Sequence, residues 1–349
     1  MARQVGGDAI IEALGQVKYP GYAADIVQLG LIEDISLTGP NAVAVTIRQA
    51  TEREEVMKDL AAAIHHALAH DLGIEKVELK VRRLEAELGE KTGRVRLEGV
   101  RHIVAVASGK GGVGKSTVAA NLAISLSRRG YRVGLLDADI YGPSVPTLFG
   151  VQTERPKSAG GGRFHPIEKY GVQLVSIGFF LNDKTPVIWR GPMVMGAVRQ
   201  FLKDVIWDSL DYLVVDLPPG TGDAQLTLAQ QVYLDGVVIV TTPQDVALLD
   251  AMRAVKMFRQ LHCPLLGVVE NMSVFVCPEC GERDEIFGHG GGERMASAEG
   301  TRMLARIPIF PELREGGDRG VPIAIAHPEH PASQAFAELA GEVDAQMRE

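Results

Sequence analysis

The sequence predicts an α/β fold in which helices flank a mostly parallel sheet, preceded by a small α+β domain. Three observations support this prediction. An apolar run at 101–107 enters a glycine-rich turn, and a stretch without Gly or Pro follows from 116 to 129. Two further apolar runs, at 132–136 and 212–215, are each followed by aspartate. The first 90 residues carry a separate pattern of helices and strands. Compact apolar runs between helices are typical of parallel strands buried on both faces.

The glycine-rich turn has the spacing G-x-x-x-x-G-K-[ST] from Gly109 to Ser116. In this pattern, backbone N–H groups and the start of a helix face a phosphate chain, so the turn predicts a nucleotide site. Lys115 is placed to reach the β- and γ-phosphates, and the Ser116 hydroxyl is placed for Mg²⁺. A second lysine, Lys110, lies inside the turn, where the pattern does not require one. The residues predicted to contact nucleotide here are Gly109, Lys110, Gly111, Gly112, Val113, Gly114, Lys115, Ser116 and Thr117.

Aspartates follow the two other apolar runs. Asp137 and Asp139 come after 132–136, and Asp216 ends the run at 212–215. Ligands of an open parallel sheet bind at the carboxyl ends of its strands, where carboxylates hold the Mg²⁺ water shell or orient a water molecule. Gly220 is placed to bring a backbone N–H to the γ-phosphate. The alternative is that the aspartates cap helices, which fits any one of them but does not explain three beside one phosphate loop.

The chain divides by pattern into a small domain at 1–90, a charged linker at 91–99 and a nucleotide-binding domain at 100–349. The elements expected in the small domain are helices at 8–17 and 52–72, strands at 42–47 and 74–81, and a turn or strand entry at 26–32. In the larger domain we also expect a surface loop at 158–163, a strand at 265–270 that ends at Asn271, and a C-terminal helix at 331–347.

Composition excludes several classes of function. The net charge of −8 argues against nucleic acid as the main partner, because phosphate neutralisation needs a positive surface. No apolar run is long enough for a membrane span, and the N-terminal residues do not form a secretion signal. Three cysteines are too few for a disulfide framework, so we expect a cytoplasmic, reducing compartment.

Cys277 and Cys280 form a C-x-x-C pair in a turn-prone segment. Thiolates at this spacing bind one metal centre, either Zn²⁺ or an iron–sulfur cluster, and each centre needs about four ligands. Cys263 precedes an apolar run and is interpreted as a buried apolar residue. Three solutions remain open. In the first, two chains place four thiolates around one cluster. In the second, His289 and another ligand complete a zinc site. In the third, the pair is a redox dithiol.

Several motifs together resemble a known family. The segment 110–117 resembles the deviant Walker A loop of the SIMIBI ATPases, which include MinD and the nitrogenase iron protein. With 137–144, 216–223 and 277–280, it resembles the Mrp/ApbC iron–sulfur carrier ATPases over about residues 98–349. The resemblance implies that Lys110 crosses a homodimer interface to the partner's phosphates and that Asp139 positions the attacking water. It also implies that Asp137 and Asp216 support Mg²⁺ and that Asn271 contacts adenine; a simple strand-end turn is the alternative for Asn271.

The small domain has its own resemblance. The segment 25–32 is similar to a domain that precedes many Mrp-type ATPases and occurs alone in iron–sulfur assembly factors. Those relatives commonly carry a cysteine before the long helix, and this domain has none, so docking or regulation is favoured over cluster binding. His65, His66 and His70 lie on the predicted helix; metal binding is one interpretation, and a solvated helix face is the favoured one.

The leading hypothesis is therefore a homodimeric, ATP-hydrolysing carrier. It binds a [4Fe–4S] cluster through Cys277 and Cys280 of both chains and transfers it to apo-proteins, with ATP and Mg²⁺ as its other ligands and cluster assembly factors as partners. One rival is a MinD-like or ParA-like positioning ATPase with a structural zinc knuckle. The acidic polar face of the C-terminal helix argues against a membrane-binding tail. A second rival is an electron-donating reductase, disfavoured because both cysteines share one turn.

Overall fold

The structure is a computed structural model, and it describes residues 7–18, 25–27, 31–39, 41–48, 54–74, 76–82, 94, 96–140, 142–160, 162–180, 204–277 and 279–348. The chain divides into two compact units, Met1–Glu87 and Leu88–Glu349. Among the described residues, no helix combines the length and the apolar character needed to cross a bilayer.

The first unit is an α+β domain with a three-stranded sheet. Its elements are α1 (Gly7–Leu14), β1 (Ile32–Gly39), β2 (Ala42–Arg48), α2 (Glu54–His66), a π-helical turn (Ala67–Asp71) and β3 (Lys76–Arg82). The strand order is β1-β2-β3, with β1 antiparallel and β3 parallel to β2. Val43, Val45 and Ile47 of β2 are fully buried against Leu60 and Ile64 of α2 and other apolar residues of one core.

One expectation for this unit is confirmed in place but is too short, and another needs correction. The turn or strand entry predicted at 26–32 is present, since residues 26–27 form a turn and β1 begins at Ile32, but the sequence does not predict that the strand continues to Gly39. Exposed polar residues such as Asp34 and Ser36 interrupt the apolar pattern of this strand, and its pairing with β2 stabilises it instead. The predicted helix at 52–72 ends in π-helical rather than α-helical geometry over Ala67–Asp71.

The second unit is an α/β domain. Its strands are β4 (Val100–Ser108), β5 (Val133–Asp137), β6 (Lys157–Gly160), β7 (Arg163–His165), β8 (Ile167–Lys169), β9 (Val172–Ser176), β10 (Leu210–Asp216), β11 (Gly236–Thr241), β12 (Leu265–Val276), β13 (Arg283–Asp284) and β14 (Met303–Ile309). Its helices are α3 (Lys115–Arg128), α4 (Val145–Leu148), a 3₁₀ turn (Ile177–Phe179), α5 (Asp223–Gln231), α6 (Asp245–Gln260), α7 (Gly291–Ala298), α8 (Pro311–Arg319), α9 (Ile323–Ala326) and α10 (Pro331–Arg348).

Nine of these strands form one sheet in the order β13-β12-β11-β4-β10-β5-β9-β8, with β14 paired to β12. All the pairings are parallel except those of the edge strands β13 and β8. Alternate residues of β4 enter different cores: Ile103, Ala105 and Ala107 belong to one, and Val104 and Val106 to the other. Burial on both faces explains why this strand reads as a continuous apolar run.

Two further expectations differ from the structure. The sequence predicts a surface loop at 158–163, but the antiparallel strands β6 and β7 flank Gly162 as an exposed hairpin. The strand at 265–270 continues to Val276, so Asn271 lies within β12 rather than at its end. Pairing with β14 and β13 carries β12 beyond its apolar run, which the local sequence does not reveal.

Part of the predicted linker packs on the second unit. Arg94 is 7% exposed and donates a hydrogen bond to the carbonyl of Leu261, the C-cap residue of α6. Leu97 is buried in the apolar core that contains Cys263. The buried position of Cys263 confirms its interpretation as an apolar residue. Residues 94 and 97 are therefore part of the folded nucleotide-binding unit.

A polar network anchors the C-terminal helix α10 to the sheet. Asp344 accepts hydrogen bonds from the hydroxyls of Tyr212, at 2.8 Å, and Tyr131, at 2.9 Å, and from Nε of Arg348, at 3.1 Å. Burial alone raises the pKa of Asp344, but these hydrogen bonds outweigh it and hold the pKa below its usual value. The carboxylate form is therefore stabilised in the folded protein.

We expect Asp344→Asn to lower the free energy of unfolding by about 1–3 kcal/mol at neutral pH, because buried hydroxyls lose a charged acceptor. A lowered pKa means that the charged form stabilises the fold above the unfolded-state value near 4, and that the difference between wild type and variant vanishes as pH falls further. Urea unfolding followed by tryptophan fluorescence measures the free energy of unfolding of both proteins at each pH, since Trp189 and Trp207 both belong to the second unit. The exposed Asp318→Asn is the control; an equal loss in both variants would contradict the anchor.

Candidate functional site

The glycine-rich loop lies between β4 and α3, as the sequence predicts. Gly114, at φ +81°, is the N-cap residue of α3. Gly109 lies against α6, where an added Cβ would be 2.1 Å from the carbonyl carbon of Asp250, so no side chain fits there. Gly111 and Gly112 are exposed. The loop thus presents backbone and a helix N-terminus to solvent, which is the arrangement that binds phosphate.

The side chain of Lys115 brings three elements of the site together. It is 5% exposed, and its Nζ lies 2.5 Å from Oδ1 of Asp216, 3.7 Å from Oδ2 of Asp139 and 3.3 Å from Oγ of Ser116. Parallel pairing of β10 with β4 and β5 aligns these strand ends. The structure therefore places the predicted residues of three loops around one buried ammonium group.

Asp137 organises the loop that follows β5. Its Oδ1 accepts from the N–H of Asp139 at 3.1 Å, and its Oδ2 accepts from the N–H of Val145 at 3.1 Å and the hydroxyl of Ser176 at 2.9 Å. Burial, and then the nearby charge of Asp216, raise the pKa of Asp137 to about 7. The carboxyl groups of Asp137 and Asp216 interact in a buried site, so both can be charged at the same time only when a cation lies beside them.

The residues present fit a bound Mg²⁺. Oδ2 of Asp216 is buried without a hydrogen-bond partner. Burial raises the pKa of Asp216, while the charge of Lys115 and hydrogen bonds from Lys115 and Ser116 only partly offset this effect. A hydroxyl and carboxylates are the oxygen ligands that Mg²⁺ prefers, directly or through water. Ser116, Asp137 and Asp216 are the side chains that would hold it.

The affinity for Mg²⁺ should depend on pH. Because the pKa of Asp137 is raised to about 7, its carboxyl group is mostly protonated at about pH 6 and mostly charged at about pH 8. We expect the half-saturating Mg²⁺ concentration for nucleotide binding to fall about tenfold over that range. Magnesium titrations at both pH values measure the change, and Asp137→Asn should abolish it. An unchanged pH dependence in that variant would assign the titration to another group.

Lys110 and Gly220 occupy the outer part of the site. Lys110 is half-buried, and among the described residues it forms no ion pair; its carbonyl accepts from the Ser108 hydroxyl at 2.9 Å. The N–H of Gly220 donates to the carbonyl of Ser108 at 3.0 Å. A contact between the Gly220 N–H and a γ-phosphate therefore requires this hydrogen bond to open.

Asn271 contacts the phosphate loop itself. Its side chain is buried, and Nδ2 donates to the carbonyl of Val113 at 2.9 Å. Thr117, another residue of the motif, accepts at its carbonyl from Asn121 at 2.9 Å within α3. The family resemblance implies that Asn271 contacts adenine; the structure adds a contact with the loop, which strand-end spacing does not reveal.

The paired cysteines lie at the end of β12. The Cys277 N–H donates to the carbonyl of Glu282, and the Gly281 N–H donates to the carbonyl of Cys277, each at 2.9 Å. Cys277 is half-buried and Cys280 is exposed. Hydrogen bonds from the backbone of Cys280 and Glu279, and then from the Cys280 side chain, lower the pKa of the Cys277 thiol. The turn thus favours the thiolate, the form that binds metal.

One copy of this turn supplies two thiolates, half of the about four ligands that a zinc ion or an iron–sulfur cluster takes. Nδ1 of His289, the candidate third ligand, lies 2.9 Å from Oε2 of Glu285 on the surface. In the part of the chain that the structure describes, no group of three or more His, Cys, Asp or Glu is arranged to hold a metal ion. That search includes the described residues of the first unit, where the rings of His66 and His70 stack with centroids 5.1 Å apart.

Comparison with known proteins defines the family. A family model described as the NUBPL iron-transfer P-loop NTPase matches residues 99–344, well over half of the chain. The chain belongs to this family. A second model, described as an iron–sulfur cluster assembly protein, matches residues 7–81. The two matches confirm the predicted resemblance of both parts of the chain.

Individual relatives support the same family assignment. The chain is 45% identical over 350 residues to the iron–sulfur cluster carrier protein of Aquifex aeolicus, with 95% of each chain covered. It is 46% identical over 275 residues to the protein of the same name from Escherichia coli, covering 79% of this chain and 74% of that one.

Solved structures confirm the predicted fold class, a P-loop NTPase fold with a mostly parallel sheet. A nucleotide-binding protein in complex with ADP from Archaeoglobus fulgidus is 38% identical with a TM-score of 0.60, covering 68% of this chain and 93% of that one. The cell division ATPase MinD of Pyrococcus furiosus, 22% identical with a TM-score of 0.54, covers 70% of this chain and 99% of that one and shares the fold.

Two residues of this family member's site were missed from the sequence. Ser176 ends β9 and donates to Asp137, and Glu270 of β12 accepts from the N–H of Gly292 at 2.6 Å. Both lie far along the chain from their partners, and neither belongs to a recognisable motif. The only local signal is a polar residue at the end of an apolar run, which is common in loops.

Proposed function

We propose that the protein is a homodimeric ATPase that carries a [4Fe–4S] cluster between Cys277 and Cys280 of two copies and transfers it to apo-proteins. The observation that supports this proposal most directly is a two-thiolate turn on the same sheet as a complete phosphate loop. A cluster takes about four thiolates, so a two-fold pair of chains supplies the set. The names of the relatives agree with this cargo.

For hydrolysis, the residues act by position and charge. Lys115 and Lys110, the latter from a second copy, neutralise charge on the phosphates, and the loop backbone binds them. Asp139, 8% exposed and 3.7 Å from the Lys115 ammonium, orients the water molecule that attacks the γ-phosphorus. The new P–O bond forms as the bond to the β–γ bridging oxygen breaks, which releases ADP and phosphate. Bound Mg²⁺ would supply further neutralisation of the phosphate charge.

The exposure of the cysteine turn suits a carrier. Cys280 is exposed and Cys277 half-buried, so an acceptor's thiolates have access to a bound cluster. A permanent electron-transfer centre is better served by burial. The three free cysteines also fit a reducing, cytoplasmic compartment, in which apo-proteins and cluster assembly factors would be the partners.

Anaerobic loading tests the proposal. Purified protein is incubated with iron, sulfide and a thiol reductant, and iron, sulfide and oligomeric state are measured together. We expect one four-iron cluster per dimer, transfer of the cluster to an apo-enzyme that regains activity, and slow magnesium-dependent hydrolysis of ATP. A fully loaded monomer, or one tightly held zinc ion per chain that iron does not replace, would refute the carrier and favour a positioning ATPase with a zinc knuckle.

A further inference from the structure

Two adjacent residues of β12 hold two different functional segments. Asn271 donates to the carbonyl of Val113 in the phosphate loop, at 2.9 Å. Glu270 accepts from the N–H of Gly292, in the first turn of α7, at 2.6 Å. Because successive side chains of a strand point to opposite faces of the sheet, one strand position reaches both segments.

The contact with the phosphate loop is close. An added Cβ at Gly114 would lie 2.2 Å from Nδ2 of Asn271, so the Asn271 amide occupies the space beside this glycine. Asn271 is 6% exposed, and the Val113 side chain is 2% exposed. A displacement of the loop backbone at these residues therefore displaces the Asn271 side chain as well.

The segment that carries the cysteines is attached to β12 at both ends. It begins at Cys277, directly after the last residue of the strand, and it returns to β12 where α7 meets Glu270. The Glu270 side chain is 1% exposed, and an added Cβ at Gly292 would lie 3.0 Å from its Cβ. The position of β12 therefore determines the position of the cysteine turn.

Between Asn271 and the cysteines, β12 is irregular. Met272 has φ +54°, which is uncommon for a residue with a side chain. The register with β14 shifts between Asn271 and Phe275. After this shift, Phe275 and Val276 pair with β13, which forms the base of the cysteine turn. Irregular strand positions of this kind bend a strand and re-aim the residues that follow.

We propose that Asn271 is a positioning residue that links the phosphate loop to the cysteine turn through β12. Nucleotide phosphates that reorient the loop backbone shift Asn271, and the strand transmits the shift to Cys277 and Cys280. The inference rests on the proposed function, because it assumes that the loop binds nucleotide and the cysteines bind the cluster. By linkage, nucleotide binding changes the affinity of the cysteines for the cluster, and cluster binding changes the affinity for nucleotide by the same factor.

The link is tested on the full, reduced chain without bound iron, through the rate at which iodoacetamide alkylates each cysteine. Rates are measured by peptide mass spectrometry with and without MgADP at about twenty times its measured Kd. A coupling carried by one buried hydrogen bond predicts a change of about three- to tenfold at Cys277 and Cys280. Cys263, 4% exposed, is the internal control and should stay unmodified.

At saturating MgADP, the logarithm of the change in alkylation rate in Asn271→Ala should be less than about half of the wild-type value. Ser273→Ala, on the same strand, should keep the wild-type change. If Asn271→Ala binds MgADP too weakly to be saturated, Glu270→Ala decides: loss of the response supports the link, and a wild-type response overturns it. A wild-type protein that binds MgADP without any change in cysteine reactivity also overturns it, as does loss of the response in Ser273→Ala. Iron loading and hydrolysis test the proposed function separately.

Discussion

Lys110→Ala should bind nucleotide with a Kd close to the wild-type value and hydrolyse ATP about 10³-fold more slowly. Within one chain, Lys115 already lies 2.5 Å from Asp216 at the centre of the site, whereas Lys110 is half-buried in the outer part of the loop. A lysine that reaches a second copy's phosphates contributes in the transition state, so its loss lowers kcat rather than affinity.

The decisive measurement mixes two inactive variants. In the proposed mechanism, Asp139→Ala lacks the residue that orients water in its own chain, and Lys110→Ala lacks the residue that reaches the phosphates of the other chain. In a mixed dimer, one site receives both an intact Asp139 and an intact Lys110. Random exchange makes half of the dimers mixed, with one active site of two, so about a quarter of the wild-type rate should return.

One outcome would contradict the exchange of Lys110 between chains. If mixtures stay inactive although mass measurements show mixed dimers, Lys110 acts within its own chain. Lys157→Ala, on the exposed hairpin of β6 and β7, is the matched control and should keep the wild-type rate. Nucleotide binding measured on each variant separates loss of chemistry from loss of folding.

Cys277→Ser and Cys280→Ser should each lower bound iron and sulfide to less than about a tenth of the wild-type content. In the proposed dimer, one substitution removes two of four thiolates, because symmetry repeats it in both chains. Serine keeps the size of the side chain but is a poor ligand for iron. Iron, sulfide and visible absorption after anaerobic loading measure the loss.

Cys263→Ala is the control for these variants. Cys263 is buried in the apolar core beside α6 and should not contribute to the cluster. Its replacement should leave the iron content unchanged and cost some stability through a small cavity. Loss of iron in Cys263→Ala, or retention of iron in either serine variant, would place the cluster elsewhere in the molecule.

Much of the nucleotide site could be predicted because its geometry is local. The turn from Gly109 to Ser116 joins a strand to a helix within a few residues, so the pattern alone defines its conformation. Asp137 and Asp216 were also predictable, because parallel strands bring their carboxyl ends to one edge. The raised pKa of Asp137 was not, since it results from burial and from a charge 79 residues away in the chain.

Features that depend on distant pairing could not be predicted. The strand β1 has exposed polar residues and forms because β2 pairs with it. The extension of β12 to Val276 depends on β13 and β14, so the place of Asn271 within the strand followed from the fold and not from the apolar run. Long-range hydrogen bonds of Ser176 and Glu270 leave no spacing that a single sequence displays.

The burial of Arg94 and Leu97 sets the point at which the two units of the chain can be separated for study. A shortened protein that starts at residue 100 would expose part of the apolar core that contains Cys263 and leave the carbonyl of Leu261 without its guanidinium donor. Starting a few residues before Arg94 preserves both contacts. Differences between such fragments and the full-length protein then report on the amino-terminal unit, rather than on damage to the nucleotide-binding unit.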